Sequence, residues 1–251
     1  EWAVIGCPED DGDAIKYREE AEARLIEASI NAQRFIIPDS AGGEAISHER
    51  WKQVLTDGFG EDSGISKEDL DNMALNMQGF REGMDFVYET FTNKGVPFAR
   101  PPIAIVTDPA QQNEGAFYYN GYTGEVQIVA RYLKVNGRLD PGCPGALYTS
   151  GTQELVFTGV AGDIFRLAGV EEMHHSHYSR MRQDNVPESG RHADSIAMYH
   201  AVDIEWHALR WKIMFAERAG MPEPTIRLLK KFRDDAKEIR RLRQAAKRQD
   251  Q

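Results

Sequence analysis

Cysteine is nearly absent from this chain, with two (Cys7 and Cys143) in 251 residues. Two thiols build neither a disulfide framework nor a four-thiolate metal site, so a reducing, cytoplasmic setting is the expectation. No apolar run approaches the ~18 residues of a membrane helix, and no membrane partner is expected. The chain opens without a basic n-region, so a signal peptide is not expected either. Phosphate-cradling Gly-x-Gly-x-x-Gly and Gly-x-x-x-x-Gly-Lys motifs are missing, which argues against nucleotide chemistry. There is no Pro-Cys-x-x-Cys, as a zinc deaminase would need, and no second Glu-x-x-His pair on another helix, as a ferritin-like di-iron site would need.

What is present is ordinary for a globular chain: 41% hydrophobic and 28% charged residues, with a net charge of −10. The charge is unevenly spread. From Thr225 to Gln251 there are ten lysines and arginines against four acids, while the preceding residues are strongly acidic. An acidic body does not suit nucleic acid, which leaves only the basic tail as a nucleic-acid contact and argues against such a partner. The expected role of the tail is a helix lying on its own acidic body or on a partner subunit.

Hydrophobic spacing divides the chain into a helical N-terminal extension (1–64), an α+β domain (65–222) and a basic C-terminal helix (223–251). Asp13 to Phe35 reads as a helix, and a shorter one surrounds Trp51 and Leu55. Ser66 and Asp69 make a capping-box-like start to a helix. Leu70, Met73, Met77, Phe80, Met84, Val87 and Phe91 then recur at spacings of three and four, which is a core stripe. Ile103-Ala104-Ile105-Val106 reads as a buried strand, and Phe117–Tyr119 with Val126–Val129 as a hairpin; Leu155–Phe157 can add a strand. Arg131 to Gly151 is loop-rich, and Cys143 within it reads as a loop residue. Helices return over 160–182, 192–219 and from Thr225, where Ile226, Leu228, Leu229, Phe232, Ile239 and Leu242 form an apolar side.

Six of the seven histidines (His174, His175, His177, His192, His200, His207) fall within 34 residues. At about 100° per residue, Glu171 and His175 lie about 40° apart on a face shared with Ile164, Leu167, Ala168 and Tyr178, with Glu172 beside them. Two metal-binding side chains four residues apart with a carboxylate at the next position is the arrangement a zinc metallopeptidase helix uses. His174 and His177 point elsewhere on that helix, as surface or supporting residues. On the following helix Glu205 falls in a strip of alanines (Ala201, Ala208, Ala216) and therefore needs a partner: a metal held by Glu171 and His175, or Lys212. The plain alternatives are a polar helix end at residues 171–175, a Glu205–Lys212 ion pair, and an interhelical contact for His200 and His207.

Here the chain resembles a family. The order of helix, strands, motif helix and glutamate-bearing helix is similar to the zincin-like minimal metallopeptidase core. Glu205-Trp206-His207-Ala208-Leu209 running through Phe215-Ala216 to Met221-Pro222 resembles the third-ligand helix of the immunity-repressor-cleaving, gluzincin-type peptidases of mobile elements. The resemblance covers about residues 66–222, with Glu171 standing where the family has its first motif histidine. It implies Glu171, His175 and Glu205 as ligands to one divalent metal, Glu172 as general base, Tyr178 or His174 as oxyanion donor, and Val126–Val129 as an edge strand that pairs with a peptide or protein substrate. Zinc is the first expectation. Two glutamate ligands add negative charge and tilt the site towards harder ions such as Mn²⁺ or Fe²⁺. The implied activity is peptide hydrolysis. A degenerate, non-catalytic zincin-like fold acting as an interaction or structural module is the competing expectation, with the C-terminal helix offering a surface to a second copy or a partner protein.

Overall fold

A computed structural model describes residues 32–37, 46–96, 99–108, 117–120, 123–134, 161–183 and 193–249. Strand β1 (Arg34–Ile37) precedes helix α1 (His48–Phe59), a 3₁₀ turn (Glu61–Ser63) and helix α2 (Lys67–Asn93). Strands β2 (Ile103–Val106), β3 (Phe117–Asn120) and β4 (Glu125–Val129) follow, with a short helix α3 (Ala130–Leu133). Three long helices close the chain: α4 (Ala161–Gln183), α5 (Ala193–Arg218) and α6 (Glu223–Gln249). The protein is a mixed α+β fold, and no helix among the described residues is long and apolar enough to cross a membrane.

Local chemistry starts and stops these elements. Ser47 accepts a hydrogen bond from the Arg50 amide (3.2 Å) to open α1, and Ser66 accepts one from the Asp69 amide (3.0 Å) to open α2. Gly95 ends α2 in a left-handed conformation (φ 70°), and the Val96 amide donates back to the Phe91 carbonyl. The Met and aromatic stripe of α2 is core, as its spacing predicts: Met73, Met77, Phe80, Met84 and Val87 are fully buried.

The sheet runs β1-β2-β4-β3, antiparallel at both margins and parallel between β2 and β4. This corrects the expectation for Val126–Val129. β4 is an interior strand with all five residues buried, so its backbone is already paired on both sides and cannot receive a substrate strand. Its carboxylate, Glu125, has partners inside the fold. Arg34 donates to both oxygens of Glu125 (2.9 and 3.3 Å), and the Gln127 amide donates to Glu125 Oε2 (2.9 Å). Burial pushes the Glu125 carboxyl up, and Gln127 and Arg34 together more than reverse this, holding it below the usual range.

Three further expectations change. The N-terminal helix expected to reach Phe35 does not, because Arg34 and Phe35 belong to β1 and pair with Val106 and Ile105; residues 1–31 lie outside the described residues, as does Leu155–Phe157. The loop-rich stretch begins with a helical turn, α3, tied to α2 by the Asn76 amide donating to the Leu133 carbonyl (2.9 Å). Helix α6 starts at Glu223, two residues before Thr225, because the Thr225 and Ile226 amides both donate to the Pro222 carbonyl. Its Ile226, Leu228 and Leu229 are buried, and Lys230 pairs with Glu217 of α5 (2.8 Å), so α6 folds back on α5.

The core of the molecule is the contact of α2 with α4. A Cβ built on Gly83 would stand 1.9 Å from the Arg166 carbonyl oxygen, and one on Gly169 would stand 2.0 Å from that of Phe80. The two backbones therefore touch at reciprocal glycines. Neither neighbour is a flexible side chain that could yield, so an added methyl must separate the helices. We expect Gly83→Ala and Gly169→Ala each to destabilise by at least about 1–3 kcal/mol, with a sub-additive double variant. Urea unfolding checks this, and a stability within experimental error of wild type would contradict the contact.

Candidate metal centre

Two residues beyond Gly169, α4 carries the histidine-rich stretch against α5. Ala168 of α4 and Ala208 of α5 are both buried. Glu171 meets Lys212 of α5 in an ion pair, with side chains about one-fifth or less exposed on both sides. Glu172 is buried, and its Oε2 stands 3.5 Å from His175 Nδ1.

His174 and His177 do not lie at the surface. They are 4% and 8% exposed, because the α4 face away from Glu171 is covered too. His177 sits 4.0 Å from the Phe91 ring of α2, and Phe91 is 5.0 Å from Trp211. The His174 ring is 6.2 Å from His207, nearly parallel to it, and 6.3 Å from both His175 and Trp211. Trp206 stacks edge-on against His207 at 4.7 Å and carries the Arg210 guanidinium over its ring. An aromatic and imidazole layer thus fills the α2–α4–α5 seam, which periodicity on single helices does not reveal.

Burial pushes His174 down from 6.5 to about 3, reinforced by His175, His207 and His177, while Glu171 pulls weakly the other way. At neutral pH His174 is an uncharged imidazole.

Of the residues implied as ligands, Glu171 and His175 are near one another on α4, yet Glu171 carries the Lys212 ammonium and His175 faces Glu172. The side chains of Glu205 and Tyr178 lie outside the described residues. Among the described residues no group of three or more His, Cys, Asp or Glu could hold a metal ion. The described cation at Glu171 is the Lys212 ammonium. Spacing on α5 also offers Lys212 as a partner for Glu205, seven residues before it; which α4 residue meets it depends on how the two helices cross. No protein-family model matches the chain, and comparison with curated proteins and with solved structures finds no match either.

Because the folded pKa of His174 lies below its unfolded value, the unfolded chain binds the extra proton between about pH 6.5 and 3. The His174 contribution is therefore present above 6.5 and is lost as pH falls through that window, by roughly 3–5 kcal/mol in full. His174→Phe should flatten the acid limb of a plot of unfolding free energy against pH. An unchanged limb would place the titration elsewhere.

Proposed function

We propose that residues 65–222 form a non-hydrolytic, zincin-like module that serves as a protein-interaction or structural unit. The observation that carries this reading is the Lys212–Glu171 ion pair. Support for the zincin-like part comes from the order α2, strands, α4, α5 and from the resemblance of residues 205–222 to the third-ligand helix of the immunity-repressor-cleaving peptidases. An ammonium on the first-ligand carboxylate opposes a divalent ion there. At an effective dielectric of 20, each pair of like unit charges 4 Å apart costs about 4 kcal/mol, and the ion carries two. Glu172, the base that the resemblance implies, is buried, with its Oε2 3.5 Å from His175 Nδ1. A cytoplasmic location goes with this reading, supported by the two cysteines.

Protein purified without chelator should contain no stoichiometric zinc, manganese or iron by elemental analysis, and added Zn²⁺ should not raise its melting temperature. Lys212→Ala should lower stability by about 1–3 kcal/mol, because it strips a partly buried carboxylate of its cation. Stoichiometric metal, together with peptide hydrolysis abolished by Glu172→Gln, would establish the peptidase instead. In that case Lys212→Ala would be neutral or would tighten metal binding.

A further inference from the structure

β2 and β4 run side by side in the same direction, with Val106 opposite Val129, so both carboxyl ends open at one margin of the sheet. The chain makes this opening by sending β3 to the far side of β4. Beyond the carboxyl ends of parallel strands is where such sheets leave a crevice. Here the crevice is a pocket of about 300 Å³, the size of a small organic ligand site.

Its lining sorts by chemistry. Thr107 and Ala130 directly follow the two strands, Arg131 stands on α3, and Lys134 directly follows that helix. Phe59, at the end of α1, and Ile65 supply an apolar wall, and Ser63 a hydroxyl. None of the described lining residues is acidic. Arg131 is held in place rather than waving in solvent: its guanidinium lies 4.5 Å over the Tyr132 ring and donates to the Tyr132 hydroxyl, and Tyr132 is buried. Lys134 makes no ion pair among the described residues, and the Ser63 hydroxyl makes no hydrogen bond there. Thr107 Oγ1 is already spent as a donor to the Gln33 carbonyl (3.1 Å), so it positions the rim rather than binding.

We propose that this pocket binds a small organic oxyanion, a phosphate monoester or carboxylate. Its charged end meets Arg131, Lys134 and Ser63, and its apolar body covers Phe59 and Ile65. Two cations, with no carboxylate among the described lining residues, favour an anion, and an arginine pre-set by stacking loses little freedom when it pairs with one. This does not depend on the status of Glu171 or on any metal.

Isothermal titration of the full chain with phenyl phosphate, benzoate and phenol tests it. One-site binding of phenyl phosphate or benzoate, with phenol not bound, is the expected result, and the tighter of the two identifies the anion. Lys134→Ala should weaken binding about tenfold and Lys134→Arg should retain it, whereas Lys237→Ala, at an exposed lysine of α6, should leave it unchanged. Arg131→Lys should also weaken it in a variant whose melting temperature shows that it folds. No saturable binding of either oxyanion at millimolar concentration would overturn the proposal, as would phenol binding as well as phenyl phosphate, or equal losses in Lys134→Ala and Lys237→Ala.

Discussion

Everything on the histidine side of the molecule depends on two missing methyl groups. Because Gly83 and Gly169 let the backbones of α2 and α4 touch, Phe165 of α4 reaches Phe117 of the sheet, and Phe80 of α2 stacks on the same ring. The contact sets the depth at which α4 lies. One helical turn on, the same depth buries Glu172, Met173, His174, Ser176 and His177, and it brings Glu171 within reach of a lysine on α5. A shallower helix would leave these polar groups in water, where none would need a protein partner.

Two buried polar groups of this fold are met by partners far along the chain. Glu125 is held by Arg34, 91 residues earlier, and Asn76 by the Leu133 carbonyl, 57 residues on. These links tie β1 and α3, both short, to the main body. A four-residue strand has little stability of its own, so β1 exists because β2 offers it a ladder and Glu125 an anchor for its first side chain.

These distances explain what could be read in the sequence and what could not. Helix α2 was legible because its apolar residues repeat at its own period and a serine and a glycine mark its ends. The α+β class, the buried strand Ile103–Val106 and the hairpin were legible for similar local reasons. Strand β1 was not, since Arg34-Phe35-Ile36-Ile37 continues a helical-looking run and only pairing with β2 makes it extended. The interior place of β4 was hidden because its edge role was implied by the resemblance alone, and the Arg34 that meets Glu125 is remote in the chain. At the candidate centre, spacing correctly put Glu171 and His175 on neighbouring positions. It could not say that the opposite helix presents Lys212 there, because spacing describes one helix and the ion pair belongs to two.

The glycine contact also bears on how the chain assembles. Gly83 and Gly169 are 86 residues apart, whereas α5 and α6 are joined by the four residues 219–222, with Gly220 in the left-handed region. Loop-closure entropy grows with the logarithm of loop length, so bringing α2 to α4 costs about 3 kcal/mol more than closing the α5–α6 hairpin. That cost is met before the crossing returns any contact energy. The α5–α6 hairpin can thus close early and cheaply, while the seam that holds the histidine layer waits for a distant encounter that admits no side chain larger than hydrogen.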